Sequence, residues 1–185
     1  VTGVQTCALP IYHVFGFTVF NDWSARDIQG SEMKIGLGPA KGKEFANTLG
    51  PSIVTIDEVR DLIDAEGFLD LGMAVRVNGA EVGRDLLSNM AWPIGDLVAY
   101  ASRDSRVEAG DVLGTGTCGN GGSLAELWGR SGELAPPPLQ PGDLVEMSVE
   151  RLGTLRMRVV EGTPAPEIPR ARPRSRRRPA GPIDG

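Results

Sequence analysis

Glycine and proline are spread so widely through this chain that they constrain its architecture before any other residue is considered: 25 of its 185 residues are Gly and 14 are Pro. Such punctuation breaks long helices and favours short elements joined by turns. Hairpin signals follow. Asn78-Gly79 is a strong two-residue turn between a run at Leu69–Val77 and a second strand expected at Ala80–Val82. Leu144–Arg151 and Thr154–Val160 alternate around Leu152-Gly153 as a terminal hairpin, with Met147, Val149, Leu155, Met157 and Val159 as its expected buried face. Ser52–Ile56 is β-rich, and Asp57-Glu58 opens a helical turn through Leu62. Tyr12–Phe20 reads as the end of a helix followed by a buried strand. One amphipathic helix is expected where Pro93 precedes the apolar spacing Ile94, Leu97, Val98 and Ala101. Met90 and Trp92 are expected at the core or its rim. The class is α+β, mostly β, in one domain long enough to bury a core.

Charge and composition exclude several functions. The formal net charge is −5, so no overall basic character points to nucleic acid. No apolar run is long enough to span a bilayer and no signal peptide is evident, so no membrane partner is expected. Two cysteines give no disulfide framework, and a reducing cytoplasm is the default compartment. Val1–Ile11, read back into codons, matches a sequencing-library adapter. It is set aside with Cys7, and the authentic gene is expected to begin upstream. From Glu161 the pattern dissolves into prolines and six arginines between Arg170 and Arg178, a disordered tail by composition. Domain organisation is therefore expected to be 1–11 non-native, 12–160 one globular domain, partial at its N-terminal side, and 161–185 tail.

The chemistry concentrates in Phe20–Gln29. On a short helix Asp22, Arg26 and Gln29 would fall at i, i+4 and i+7 on one face. A carboxylate, a guanidinium and a carboxamide suit a cation and an oxygen-rich anion; a capped helix with an Asp–Arg pair is the structural alternative. Leu37–Lys43 is a Gly/Pro loop, either bringing a lysine over a site or solvated; its spacing is not that of a phosphate loop. Val112-Leu113 reads as a strand entering Gly114–Gly119. There the small residues mean close backbone approach, to a ligand or to another strand. His13 reads as structural.

Ordered along the chain, NDWSARDIQ at Asn21–Gln29, the Leu37–Lys43 loop, TLGP at Thr48–Pro51, VNG at Val77–Gly79, YAS at Tyr100–Ser102, GDVLGTGT at Gly110–Thr117, PGDLVE at Pro141–Glu146 and GTLR at Gly153–Arg156 resemble the C-terminal catalytic domain of the fumarylacetoacetate hydrolase family, over about Tyr12–Val160. The resemblance implies mixed β-sheets rolled into a sandwich-like core. It also implies a homodimer and chemistry on a small 2-oxo acid held at Mg²⁺ (or Mn²⁺ or Ca²⁺). Asp22 matches the metal aspartate. Arg26, Gln29 and Lys43 match the catalytic trio that binds substrate and steadies the carbanion. Thr117 matches a substrate-contacting threonine, and Glu126 the glutamate that orients the general base. Hydrolysis of an acylpyruvate-like C–C bond is the first reaction expected. Isomerisation or decarboxylation within the same family is the alternative, as is an inactive domain that only binds small dicarboxylates. The family's Glu-X-Glu metal pair and base histidine are expected on a strand before Phe15, so this polypeptide is expected to be inactive and to bind metal weakly.

Overall fold

A computed structural model describes residues 10–167 and residue 169. The adapter-like residues 1–9 and the tail from Arg170 onward, with residue 168, lie outside the described residues. Residues 161–167 have no regular secondary structure.

The framework is a four-stranded antiparallel sheet in the order β6-β5-β7-β8. Its strands are β5 (Gly72–Val77), β6 (Ala80–Leu86), β7 (Leu144–Val149) and β8 (Gly153–Arg158). Asn78 and Gly79 turn β5 into β6 with φ of 51° and 83°. Both values are positive, as a two-residue hairpin matched to the strand twist requires. The Asn78 side chain then pins this turn to β7. Its Nδ2 donates to Asp143 Oδ1 at 2.8 Å and its Oδ1 accepts from the Leu144 N–H at 2.9 Å. β6 runs past Val82 to Leu86, and a register shift between Val75 and Arg76 accommodates the longer ladder.

Two smaller antiparallel pairs flank this sheet: β1 (Gly16–Phe17) with β4 (Val54–Thr55), and β2 (Phe20–Asp22) with β3 (Asn47–Leu49). The single buried strand expected through Tyr12–Phe20 is thus two short ones after a 3₁₀ turn at Pro10–His13. The break between them falls at Thr18-Val19. Gly16 lies within β1, where a Cβ would fall 2.4 Å from the Val54 carbonyl oxygen. Short helices complete the order: α1 (Arg26–Glu32), α2 (Ile94–Ala101) and α3 (Leu124–Ser131), with 3₁₀ segments at Met33–Ile35, Ile56–Leu62 and Leu87–Asn89. Pro93 sits just before α2, whose Ile94 and Val98 face inward. Val112-Leu113 forms no strand; both side chains are exposed. Trp92 is also exposed, while Met90 packs on the core.

The core gathers Val59, Leu69, Leu71 and Met73 with Val145, Val149, Leu152, Leu155 and Met157, joined by Val19 and Ile94. Val145 and Leu152 are buried more deeply than expected, and Met147 and Val159 are only partly covered. No described helix is long and apolar enough to cross a membrane.

Candidate active site

Asp22 closes β2 and does not lie on a helix. The one-face arrangement of Asp22, Arg26 and Gln29 is therefore corrected: α1 begins at Arg26. The physical reason is non-local. Asp22 pairs with Asn47 in the β2–β3 ladder, and the Ala25 N–H donates to the Gly42 carbonyl at 2.9 Å. Only Arg26 and Gln29, one turn apart, share the helix, and Arg26 Nη1 donates to Gln29 Oε1 at 2.7 Å.

The lysine loop nonetheless carries Lys43 to the aspartate. Lys43 Nζ lies 2.7 Å from Asp22 Oδ2, with the side chains 25% and 45% exposed. The Asn47 amide faces the other oxygen; turned with its nitrogen inward, it would donate to Asp22 Oδ1 at 3.3 Å. The loop approaches α1 so closely that Gly42 is buried and a Cβ there would lie 2.8 Å from the Gln29 backbone nitrogen. Asp22, Lys43, Arg26 and Gln29 thus share one corner. Trp23, partly buried against the core, anchors it through Nε1 to Thr48 Oγ1 at 2.9 Å.

Glu32 holds this loop, and nothing in the local sequence announced it. Its carboxylate accepts backbone N–H groups from Ala40 at 2.8 Å, Lys41 at 2.7 Å and Gly42 at 3.1 Å. Those donors, Ala40 and Gly42 foremost, hold the Glu32 carboxyl below the ordinary range.

Within Gly114–Gly119 an added Cβ would meet side chains only, the Phe20 ring at 3.1 Å from Gly114 and Asp85 Oδ2 at 3.0 Å from Gly119. The close backbone approach to a strand lies just downstream, where a Cβ on Gly83 of β6 would lie 2.5 Å from the Gly121 carbonyl carbon. Glu126 fastens that turn. It accepts from the Asn120 N–H at 3.1 Å and the Gly121 N–H at 3.0 Å, and pairs with Arg130 at 2.6 Å. Thr117 is exposed in the same loop and makes no side-chain hydrogen bond among the described residues. Ser123, which sequence reasoning missed, links the loop to the corner: Arg26 Nη2 donates to its Oγ at 3.1 Å. The spacing Ser123-x-x-Glu126 was a usable helix-start signal, though here neither side chain caps α3 in that way. Nearby, burial pushes the Cys118 thiol up.

A hard divalent cation asks for about six oxygen ligands. Among the described residues no three His, Cys, Asp or Glu side chains gather to hold one. Asp22 is a lone carboxylate with Lys43 already on it. These residues by themselves do not fit such an ion.

Comparison with known proteins agrees with the fold. The family model described as fumarylacetoacetate (FAA) hydrolase C-terminal matches residues 10–160. The mitochondrial oxaloacetate tautomerase Fahd2a of Rattus norvegicus is 34% identical over 80% of this chain and 42% of its own length. Among solved structures, a fumarylacetoacetate hydrolase from Exiguobacterium antarcticum superposes with a TM-score of 0.63 at 31% identity, over 82% of this chain and 48% of that one. A 5-carboxymethyl-2-hydroxymuconate delta-isomerase from Mycobacterium smegmatis follows with a TM-score of 0.57 at 32% identity, over 80% and 49%. A fumarylpyruvate hydrolase from Pseudomonas aeruginosa, solved with Mn²⁺ and pyruvate, shares the fold with a TM-score of 0.62 at 24% identity, over 82% and 56%. The protein belongs to the fumarylacetoacetate hydrolase family, as a chain with the family's C-terminal domain. It covers 42% to 56% of the length of these relatives.

Proposed function

We propose that this domain binds a small 2-oxo acid and stabilises its enolate, as part of an enzyme that cleaves the C–C bond of an acylpyruvate-like substrate with water. The observation that carries the reading is the convergence of Lys43 on Asp22 beside the Arg26–Gln29 pair. Arg26 offers a planar donor fork suited to a carboxylate. Lys43 offers a compact positive charge that would swing from Asp22 to an enolate oxygen, where charge develops as the bond breaks. The Gln29 amide orients the substrate between them. Water adds to the distal carbonyl, the C–C bond breaks, and its electron pair becomes the enolate that then takes a proton.

Tautomerisation or isomerisation is the second reading, favoured by one observation. Glu126, expected to orient a base, is spent on the Asn120 and Gly121 amides and on Arg130. Tautomerisation moves a proton from the carbon beside the carbonyl to a proton acceptor and back to the substrate without adding water, so it would not need the base that activates water. Mg²⁺ or a similar cation belongs to the proposal as a family expectation. The homodimer likewise belongs to the proposal.

Oxalate, a planar mimic of the enolate, tests the reading by calorimetry on this chain. The wild type is expected to bind it. Arg26→Ala and Lys43→Gln are each expected to weaken binding by roughly tenfold or more, as loss of a hydrogen bond to a charged group implies. Equal affinity in all three proteins refutes the assignment.

A further inference from the structure

We propose that Glu32 is the positioning residue of this corner: its carboxylate folds the 40–44 turn and so delivers the Lys43 ammonium to Asp22.

Several observations converge on it. One oxygen, Oε2, accepts the Ala40 and Gly42 amides at 2.8 and 3.1 Å, and the other, Oε1, accepts the Lys41 amide at 2.7 Å. Three consecutive N–H groups thereby point at one side chain. An ionised carboxylate has acceptor capacity for all three, whereas a carboxamide would turn its own donors on one side against them. Within the turn, the Lys43 and Glu44 amides donate back to the Ala40 carbonyl at 3.0 and 2.9 Å. Ala40 is therefore the pivot that fixes where Lys43 leaves the backbone. The turn is also seated on α1 through Gly42, whose carbonyl takes the Ala25 N–H. Glu32 lies at the last residue of α1, the helix that carries Arg26 and Gln29. One carboxylate consequently joins the helix bearing two of the substrate groups to the loop bearing the third.

Glu32 takes three of the loop's hydrogen bonds, beside the Ala25–Gly42 bond and the Lys43–Asp22 pair. Leu37 and Phe45, on either side of the turn, are exposed and contribute no core packing. The other lysine of the turn, Lys41, points to solvent against Glu44. Without Glu32 the three amides would return to water, and Lys43 would lose its fixed departure point.

The bearing of this clamp on 2-oxo acid binding rests on the function proposed above; the clamp itself is tested without substrate. Reductive methylation of the 185-residue chain, with each lysine followed by mass spectrometry, is paired with amide hydrogen exchange over Ala40–Gly42. In Glu32→Gln, exchange of those amides and methylation of Lys43 are both expected to accelerate by about tenfold, the scale of a lost charge-assisted hydrogen bond. Exposed Lys34 should keep its wild-type rate. Glu32→Asp keeps the charge but falls a methylene short, and is expected to release Lys43 as well. Wild-type protection of either Lys43 or the three amides in these variants overturns the proposal. A wild type that binds no oxalate counts against the function alone, because labelling reads the clamp independently.

Discussion

Gly83→Ala probes the contact that seats the Gly-rich loop on the main sheet. Gly83 lies in β6, and its φ is not positive, so the alanine backbone is unstrained. Its new Cβ, however, would fall 2.5 Å from the Gly121 carbonyl carbon and oxygen and 2.6 Å from the Gly121 Cα. All three are backbone atoms, so no side chain can swing aside. Overpacking of this kind costs about 1–3 kcal/mol, and a backbone-only clash belongs at the upper end. Alanine restricts the unfolded chain and returns about 0.4–1 kcal/mol. The net loss is about 2 kcal/mol, or about 4–8 °C in Tm for a domain of this size. Urea unfolding followed by circular dichroism measures it. Gly129→Ala is the control: Gly129 lies inside α3 with nothing within 4 Å of its would-be Cβ. That substitution should gain about 0.5–1 kcal/mol. If Gly83→Ala unfolds within about 0.5 kcal/mol of wild type, the range of an ordinary surface change, the loop is not seated as described.

Other consequences are open to measurement. Acid should destabilise the fold through Asp143, whose carboxyl is held below its ordinary value of 3.8 by the Gln140 N–H and then the Asn78 amide. Because the folded value is depressed, its stabilisation is complete above the ordinary value and is lost as pH falls through the folded one. Asp143→Asn should therefore show a shallower fall of Tm below about pH 5 than wild type; parallel curves would refute this. Calorimetric titration with Mg²⁺ should give weak binding only, since no three-ligand cluster exists among the described residues. A tight, saturable isotherm would contradict that reading.

What was legible in the sequence was local. Asn78-Gly79 announced its turn because only a few residues tolerate positive φ at both positions. Pro93 announced α2 as a helix-start signal; it stands at the cap, extended, where its carbonyl accepts the Asp96 and Leu97 N–H groups. The end hairpin showed its alternation, though Val145 escaped notice beside more obvious residues. The candidate site was legible as residues but not as geometry. The four-residue separation of Asp22 and Arg26 fits a helix, and only pairing with Asn47 and the hydrogen bond to Gly42 make it a strand end and a helix start. Those partners lie some twenty residues downstream, where no local propensity can reach them. The roles of Glu32 and Ser123 were invisible for the same reason: Glu32 reaches a loop, and Ser123 meets Arg26, along return paths that belong to the tertiary fold.

This dependence on distant partners has a mechanical consequence. α1 is seven residues long and buries none of them. A helix that short has no stability of its own in water, and here no apolar face supplies any. Its position must come from polar links: Ala25 to Gly42, Arg26 to Ser123 and Glu32 to the 40–42 amides. Each link joins the helix to one of the two loops that carry Lys43 and Thr117. Helix and loops therefore order together, and loosening either loop frees Arg26 and Gln29 as well. Ligand affinity at this corner should consequently respond to substitutions in the 40–44 turn that touch no ligand.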